Sequence, residues 1–226
     1  MVRGKAVHLV EEAGYPFNRR VSITVNPSSA LEFPLQVRIP AWARGTKIAV
    51  NGKPVSAAEP GTFARIDREW KQGDRVDVEF PMQPRVSRWF NDSVAIERGP
   101  LVFSYGIGES WVKLRNRGMT ADWQVFPKSQ WNYAVKLDTG SPAQGIEVVE
   151  REVGEGPFTR SHAPVELKVK ARKVDEWRAE DGVAKDVPQS PVKTSQPEEI
   201  ITLVPYAAAK LRITAFPVLQ STSQSS

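Results

Sequence analysis

Cysteine is missing from all 226 residues. Its absence excludes disulfides, thiolate metal sites and a cysteine nucleophile. Histidine is nearly missing too: His8 and His162 stand far apart in unrelated contexts, with no ligand partner at helical or hairpin spacing. Satisfied or solvated histidines fit them better than ligands or bases. No Gly-rich phosphate loop and no nucleophile elbow occur. No apolar run approaches the roughly 18 residues of a membrane helix. The first residues, Met1-Val2-Arg3-Gly4-Lys5-Ala6-Val7, contain no apolar signal core, so as written the chain is expected not to be exported, and the default compartment is the cytoplasm. It enters a strand pattern almost at once and reads as incomplete at its front. The net charge is +5, but the basic residues are scattered. A nucleic-acid partner would leave a Lys/Arg stripe or run, so ordinary solubilising charge is the better account.

What is abundant points to β-structure. Eighteen prolines and fifteen glycines are spread along the chain, which favours short elements joined by turns. Val7 and Leu9, then Val21, Ile23 and Val25, alternate with polar residues around Gly14-Tyr15-Pro16, giving two strands and a loop. Leu35, Val37 and Ile39 alternate up to Pro40, a half-buried strand. Ile48 and Val50 lead into Asn51-Gly52, the pair suited to the two positive-φ positions of a type I′ hairpin. Phe63, Ile66 and Trp70 follow; after Gly73-Asp74, Val76, Val78 and Phe80 alternate strictly up to Pro81.

Around Gly99-Pro100, Val94 and Ile96 on one side and Leu101 and Phe103 on the other read as two strands. They fit either a corner where one β-layer hands over to another or a plain strand with an edge proline. Turn spacing of about 8–12 residues makes residues 1–105 one antiparallel sandwich, and the second half is more loosely patterned. The chain therefore reads as all-β with little helix. In the second half, residues 109–115 read as one or two helical turns. Val165, Leu167, Val169 and Ala171 form a strand, residues 179–199 a long surface loop, and residues 200–204 and 211–214 two strands. Residues 220–226 are expected to be disordered.

Candidate chemistry is sparse. Glu97, Asp92, Asp74 and Asp67 lie near apolar strands, but a glycosidase pair needs two carboxyls held about 5–10 Å apart across a cleft. Asp74 is better explained as a turn residue and Glu97 as an ion-paired one. Seven tryptophans are many for this length. They fill a core or an interface, or else an exposed face stacks on sugar rings. Phe17, Trp42, Trp89 and Phe90 each put a large apolar side chain beside a turn and are the candidates for an interface or a sugar-stacking surface.

Seven stretches in order carry a resemblance: Tyr15-Pro16-Phe17; Leu35-Gln36-Val37-Arg38-Ile39-Pro40-Ala41-Trp42; Val50-Asn51-Gly52; Trp70-Lys71-Gln72-Gly73-Asp74; Arg98-Gly99-Pro100-Leu101-Val102; Trp131-Asn132-Tyr133-Ala134; and Leu203-Val204-Pro205-Tyr206 with Lys210-Leu211-Arg212-Ile213 and Phe216-Pro217. With them the chain resembles the C-terminal double β-sandwich region of glycoside hydrolase family 127, the β-L-arabinofuranosidase-like enzymes, and the resemblance implies the fold class of two tandem antiparallel jelly-roll-like β-sandwiches, residues 1–105 and 106–219. The resemblance implies an enzyme whose (α/α)6 barrel, ahead of two sandwiches, performs the hydrolysis with a cysteine nucleophile near zinc and a glutamate acid/base. None of that set maps onto this sequence, so no catalytic, metal or cofactor-binding residue is assigned, and zinc would lie in the barrel. The expectation is a non-catalytic accessory region that packs on and stabilises such a barrel, its partner, with no nucleic acid or membrane. The alternative is a free carbohydrate-binding module that takes plant-type carbohydrate on exposed tryptophans.

Overall fold

In the computed structural model, which describes residues 1–56 and 59–220, the chain is all-β, and its few helical pieces are 3-10 turns of three or four residues. Two compact units form, Met1–Gln83 and Pro84–Ser226.

The first unit contains β1 (Val7–Ala13), β2 (Arg20–Pro27), β3 (Leu31–Arg38), β4 (Lys47–Val50), β5 (Lys53–Val55), β6 (Phe63–Trp70) and β7 (Asp74–Glu79). Five strands make an antiparallel sheet in the order β1-β2-β7-β4-β5, and β3 pairs with β6. Side chains alternate across each strand, so one face of each sheet is apolar. Val25, Ile48, Val50, Val76 and Val78 from the larger sheet pack with Leu31, Phe33, Val37, Ala64, Ile66 and Trp70 from the smaller one. Trp70 is wholly enclosed and its indole N–H donates to the Phe33 carbonyl at 2.9 Å, which removes the cost of an unpaired buried donor. The Asn51-Gly52 turn has the expected geometry: φ is +50° and +76°, and Val50 pairs with Lys53. Asp74 pins this turn. It accepts the Asn51 amide N–H at 2.8 Å and the Lys71 backbone N–H at 2.8 Å, with Arg68 at 3.4 Å. Burial pushes the Asp74 carboxyl up, but these bonds and the nearby Arg68 and Lys71 charges outweigh it and hold it below its ordinary value.

The second unit contains β8 (Pro84–Arg88), β9 (Val94–Arg98), β10 (Leu101–Gly106), β11 (Glu109–Arg117), β12 (Thr120–Pro127), β13 (Tyr133–Val135), β14 (Ile146–Glu150), β15 (Val165–Lys173), β16 (Ala179–Glu180), β17 (Val183–Ala184), β18 (Glu198–Pro205), β19 (Arg212–Ile213) and β20 (Ala215–Phe216). Nine of these form one antiparallel sheet along the path β13-β15-β18-β10-β9-β20, with β14 on β15, β19 on β10 and β8 on β9. Val135 bridges Val218 and donates its N–H to the Pro217 carbonyl at 2.9 Å. The two ends of the path therefore meet, and the sheet is folded upon itself. Val94, Ile96, Phe103, Val135, Leu167, Leu203 and Phe216 are fully buried.

Three sequence expectations change here. Arg98 pairs directly with Leu101, so Gly99-Pro100 is neither a corner between layers nor an edge break. It is a two-residue hairpin loop with Gly99 at φ +56°, the glycine-first order of a type II′ turn. Both strands of this hairpin, placed by turn spacing in the first sandwich, lie in the second unit because β8 pairs with β9 over its whole length. Residues 109–115 are strand, not helix: they pair with residues 122–127 in a ribbon whose turn places Gly118 at φ +68°. The loop 179–199 carries the small β16–β17 hairpin. Of the expected disordered tail, residues 221–226 lie outside the described residues, whereas Gln220 donates its backbone N–H to the Val192 carbonyl.

Candidate functional site

The candidate site is the five-residue loop between β8 and β9. Arg88 and Val94 pair at its base, and the Trp89 N–H donates to the Ser93 carbonyl at 2.9 Å. Ser93 turns back on Phe90, with its hydroxyl donating to the Phe90 carbonyl at 2.7 Å. To close so tightly, Asn91 and Asp92 both adopt left-handed backbone, φ +56° and +51°, which Asn and Asp accept more readily than other side chains.

A second segment of the same unit locks this conformation. The Asn91 amide donates to the Val187 carbonyl at 2.8 Å, the Ser190 N–H donates to the Asn91 carbonyl at 2.9 Å, and the Gln189 amide donates to Asp92 at 2.9 Å. The Trp89 indole N–H donates to Ser87 Oγ at 3.0 Å; Ser87 in turn donates to Glu97 at 2.6 Å, and Glu97 is ion-paired with Arg85. Glu97 thus anchors a tryptophan through Ser87.

The outcome of all this bonding is a fixed loop that presents two rings to solvent: Trp89 is 62% and Phe90 64% exposed. Beside it lies an open cleft of about 470 Å³ lined by Arg88, Asp92, Asp138, Pro191 and Leu219 among others. Backbone held in the left-handed region by surrounding bonds, together with two exposed aromatics, makes this loop the candidate recognition surface.

Phe17 and Trp42, in the first unit, do not present rings to solvent in this way. Phe17 is 4% exposed. Trp42 is half-buried, packed edge-on to Phe80 at 5.7 Å, with Tyr15 on the same ring at 6.4 Å. Each carboxylate considered from sequence has its own structural partner. Asp74 pins a turn, Asp67 pairs with Arg65 on the surface, Asp92 holds Gln189 and Glu97 holds Arg85 and Ser87. His8 and His162 are exposed, and the His162 ring bonds to the Thr159 and Ser161 hydroxyls. Among the described residues no three His, Cys, Asp or Glu side chains gather as metal ligands, and no helix is long and apolar enough to cross a membrane.

Sequence reasoning overlooked the β11–β12 ribbon, where Trp111, Leu114, Trp123 and Phe126 are 41–62% exposed. The signal was present as Trp111-x-Lys113 facing Trp123-x-Val125 across a glycine turn, hidden by the helical reading of residues 109–115.

Residues 1–82 match the middle domain of GH127 β-L-arabinofuranosidases, a span that coincides with the first compact unit. A comparison with curated proteins finds no match. Among solved structures, the GH127 β-L-arabinofuranosidase of Geobacillus stearothermophilus T6 is 25% identical, with a TM-score of 0.63 over 96% of this chain and 31% of that one. A second solved glycoside hydrolase is 24% identical, TM-score 0.62 over 95% and 32%; a GH127 β-arabinofuranosidase is 20% identical, TM-score 0.61 over 95% and 32%. The chain spans about a third of the length of these enzymes. By sequence over residues 1–82, and by fold over nearly its whole length, the chain resembles the all-β region of glycoside hydrolase family 127 enzymes.

Proposed function

We propose that the chain is the accessory β-sandwich region of a GH127-type glycoside hydrolase, and that it packs on and stabilises a helical catalytic barrel. The observation that carries this reading is the likeness over 96% of this chain to only 31% of a GH127 enzyme: the part shared is a pair of β-units, about a third of that enzyme. In this reading the fixed Trp89–Phe90 loop is the apolar knob of the contact, since domains of one chain typically share some 600–1,500 Å² of interface. Reaction chemistry, including zinc, then belongs to the barrel, and the partner's β-L-arabinofuranoside substrates are inferred from the relatives alone.

The test is association in solution. The chain by itself should self-associate more than its +5 charge suggests, and Trp89→Ser should restore a single sedimenting species. A recombinant GH127 barrel mixed with the chain should bind the wild type and not Trp89→Ser. The purified chain should show no hydrolysis of aryl β-L-arabinofuranosides above the uncatalysed rate. Turnover that disappears in Glu97→Gln would overturn the accessory reading. A monodisperse wild type retarded by a neutral arabinan gel through Trp89 would replace it with a carbohydrate-binding module.

A further inference from the structure

Along the β11–β12 ribbon and the adjoining residues 206–212, three exposed aromatic rings each carry a cation. Lys113 Nζ lies 5.7 Å from the centre of the Trp123 ring, Lys210 Nζ lies 5.7 Å from that of Trp111, and the Arg212 guanidinium lies 3.7 Å from that of Tyr206. The rings are 43–49% exposed. The three pairs are linked. Trp111 and Trp123 meet edge-to-face at 6.1 Å. The Trp111 indole N–H donates to Glu109 at 2.9 Å, and the other Glu109 oxygen accepts the Leu211 N–H at 3.0 Å, between Lys210 and Arg212. Burial raises the Glu109 carboxyl, but these bonds and the Arg160 charge outweigh it and lower it overall, so this buttress stays ionised at neutral pH.

The charge along this strip is unbalanced. Arg115 and Arg117 share Asp122. Among the described residues, Lys113, Lys210 and Arg212 have no carboxylate partner. Lys113 and Lys210, resting on ring faces, are held weakly, by about 0.5–1 kcal/mol at exposed sites, and a carboxylate would draw them away at little cost. Arg212 is fixed further by Nη1, which donates to the Ala209 and Lys210 carbonyls, and its other guanidinium nitrogens face a carboxylate from that fixed position.

We propose that this strip binds an extended anionic glycan, a chain of uronate-type sugars. The sugar C–H faces lie against Trp123, Trp111 and Tyr206, and the carboxylates take Lys113, Lys210 and Arg212. A neutral glycan would leave the three cations unused. Single-stranded nucleic acid stacks its bases on open ring faces set along a basic groove. Here each ring already has one face under a cation, and the two indoles stand edge-to-face rather than as parallel steps. The inference stands apart from the barrel reading and uses none of the Trp89–Phe90 loop.

The test is affinity electrophoresis of the whole chain in native gels containing polygalacturonate or neutral linear arabinan, with a single-stranded oligonucleotide titrated in parallel. The wild type should be retarded by polygalacturonate, several-fold less so as salt is raised, and should run freely in arabinan. Trp123→Ala and Lys210→Ala should each lose at least half of the retardation, whereas the charge-matched Lys53→Ala should lose none. Lys210 lies off the ribbon, so its substitution reads the strip even where Trp123→Ala loosens the hairpin. Equal retardation of wild type and Lys210→Ala, free migration of the wild type, or tighter binding of the oligonucleotide at the same ionic strength would each overturn the proposal.

Discussion

Phe17 and Phe90 are the same residue type, each beside a proline- or asparagine-bearing turn, and they meet opposite fates. Phe17 is 4% exposed and Phe90 64%. The same split separates Trp42, half-buried against Phe80, from Trp89, 62% exposed. For the two tryptophans the difference lies in what the fold delivers opposite the turn. In the first unit, Phe80 at the end of β7 lies beneath the loops that carry Tyr15 and Trp42. In the second, the segment brought against the 89–93 loop is Val187 to Ser190, and it offers a carbonyl, an amide side chain and an N–H. It bonds the backbone of the turn and leaves the rings uncovered. Where a ring stands opposite, as Phe80 does for Trp42, the aromatic is half covered; a turn with only polar partners fixes its aromatic outside.

The sharpest way to break this comparison is to truncate both phenylalanines. Phe17→Ala should cost about 3–5 kcal/mol, the usual range for a buried Phe, while Phe90→Ala should stay within about 0.5 kcal/mol in the same urea titration. Equal losses would mean that exposure does not separate the two loops.

A smaller effect sharpens the comparison of turns. Gly52 sits at φ +76° with open space where a Cβ would go, so only backbone strain opposes a side chain there. Gly52→Val should cost on the order of 1–3 kcal/mol and Lys53→Ala should be nearly silent. Coincident unfolding midpoints for the two variants would remove strain as the determinant of that turn.

The smallest effect is a pH dependence. The Asp74 carboxyl is held below its ordinary value in the folded state, so its stabilisation is fully present above the unfolded value of about 3.9 and is lost as pH falls through the lower folded one. The midpoint difference between wild type and Asp74→Asn should therefore be constant near neutrality and shrink below about pH 4. A difference that stays level down to pH 2 would detach Asp74 from the stability of the Asn51-Gly52 hairpin.

Much of this was legible beforehand. Val76, Val78 and Phe80 alternate because a strand has period two, and Asn51-Gly52 announces its turn because those two residues tolerate positive φ. The resemblance through stretches such as Trp70-Lys71-Gln72-Gly73-Asp74 identified the family of enzymes that the chain matches. Half of the proposed surface, Trp89 and Phe90, was also named from its place beside a turn. The ribbon was not. Residues 109–115 mix Trp111, Lys113 and Arg115 with Val112 and Leu114, so neither face is purely apolar, and a two-stranded ribbon with no core of its own imposes no clean alternation.

By itself, then, the sequence determined the β-character of the chain, the positions of its tight turns and the strands with one buried face, since each follows from a few consecutive side chains and their allowed backbone. Tertiary structure alone decided which aromatics remain outside, that β8 to β10 build the second unit, and that residues 215–219 tie the two ends of its sheet together. Those outcomes depend on partners between ten and about a hundred residues away, and no local pattern encodes the groups that will stand opposite.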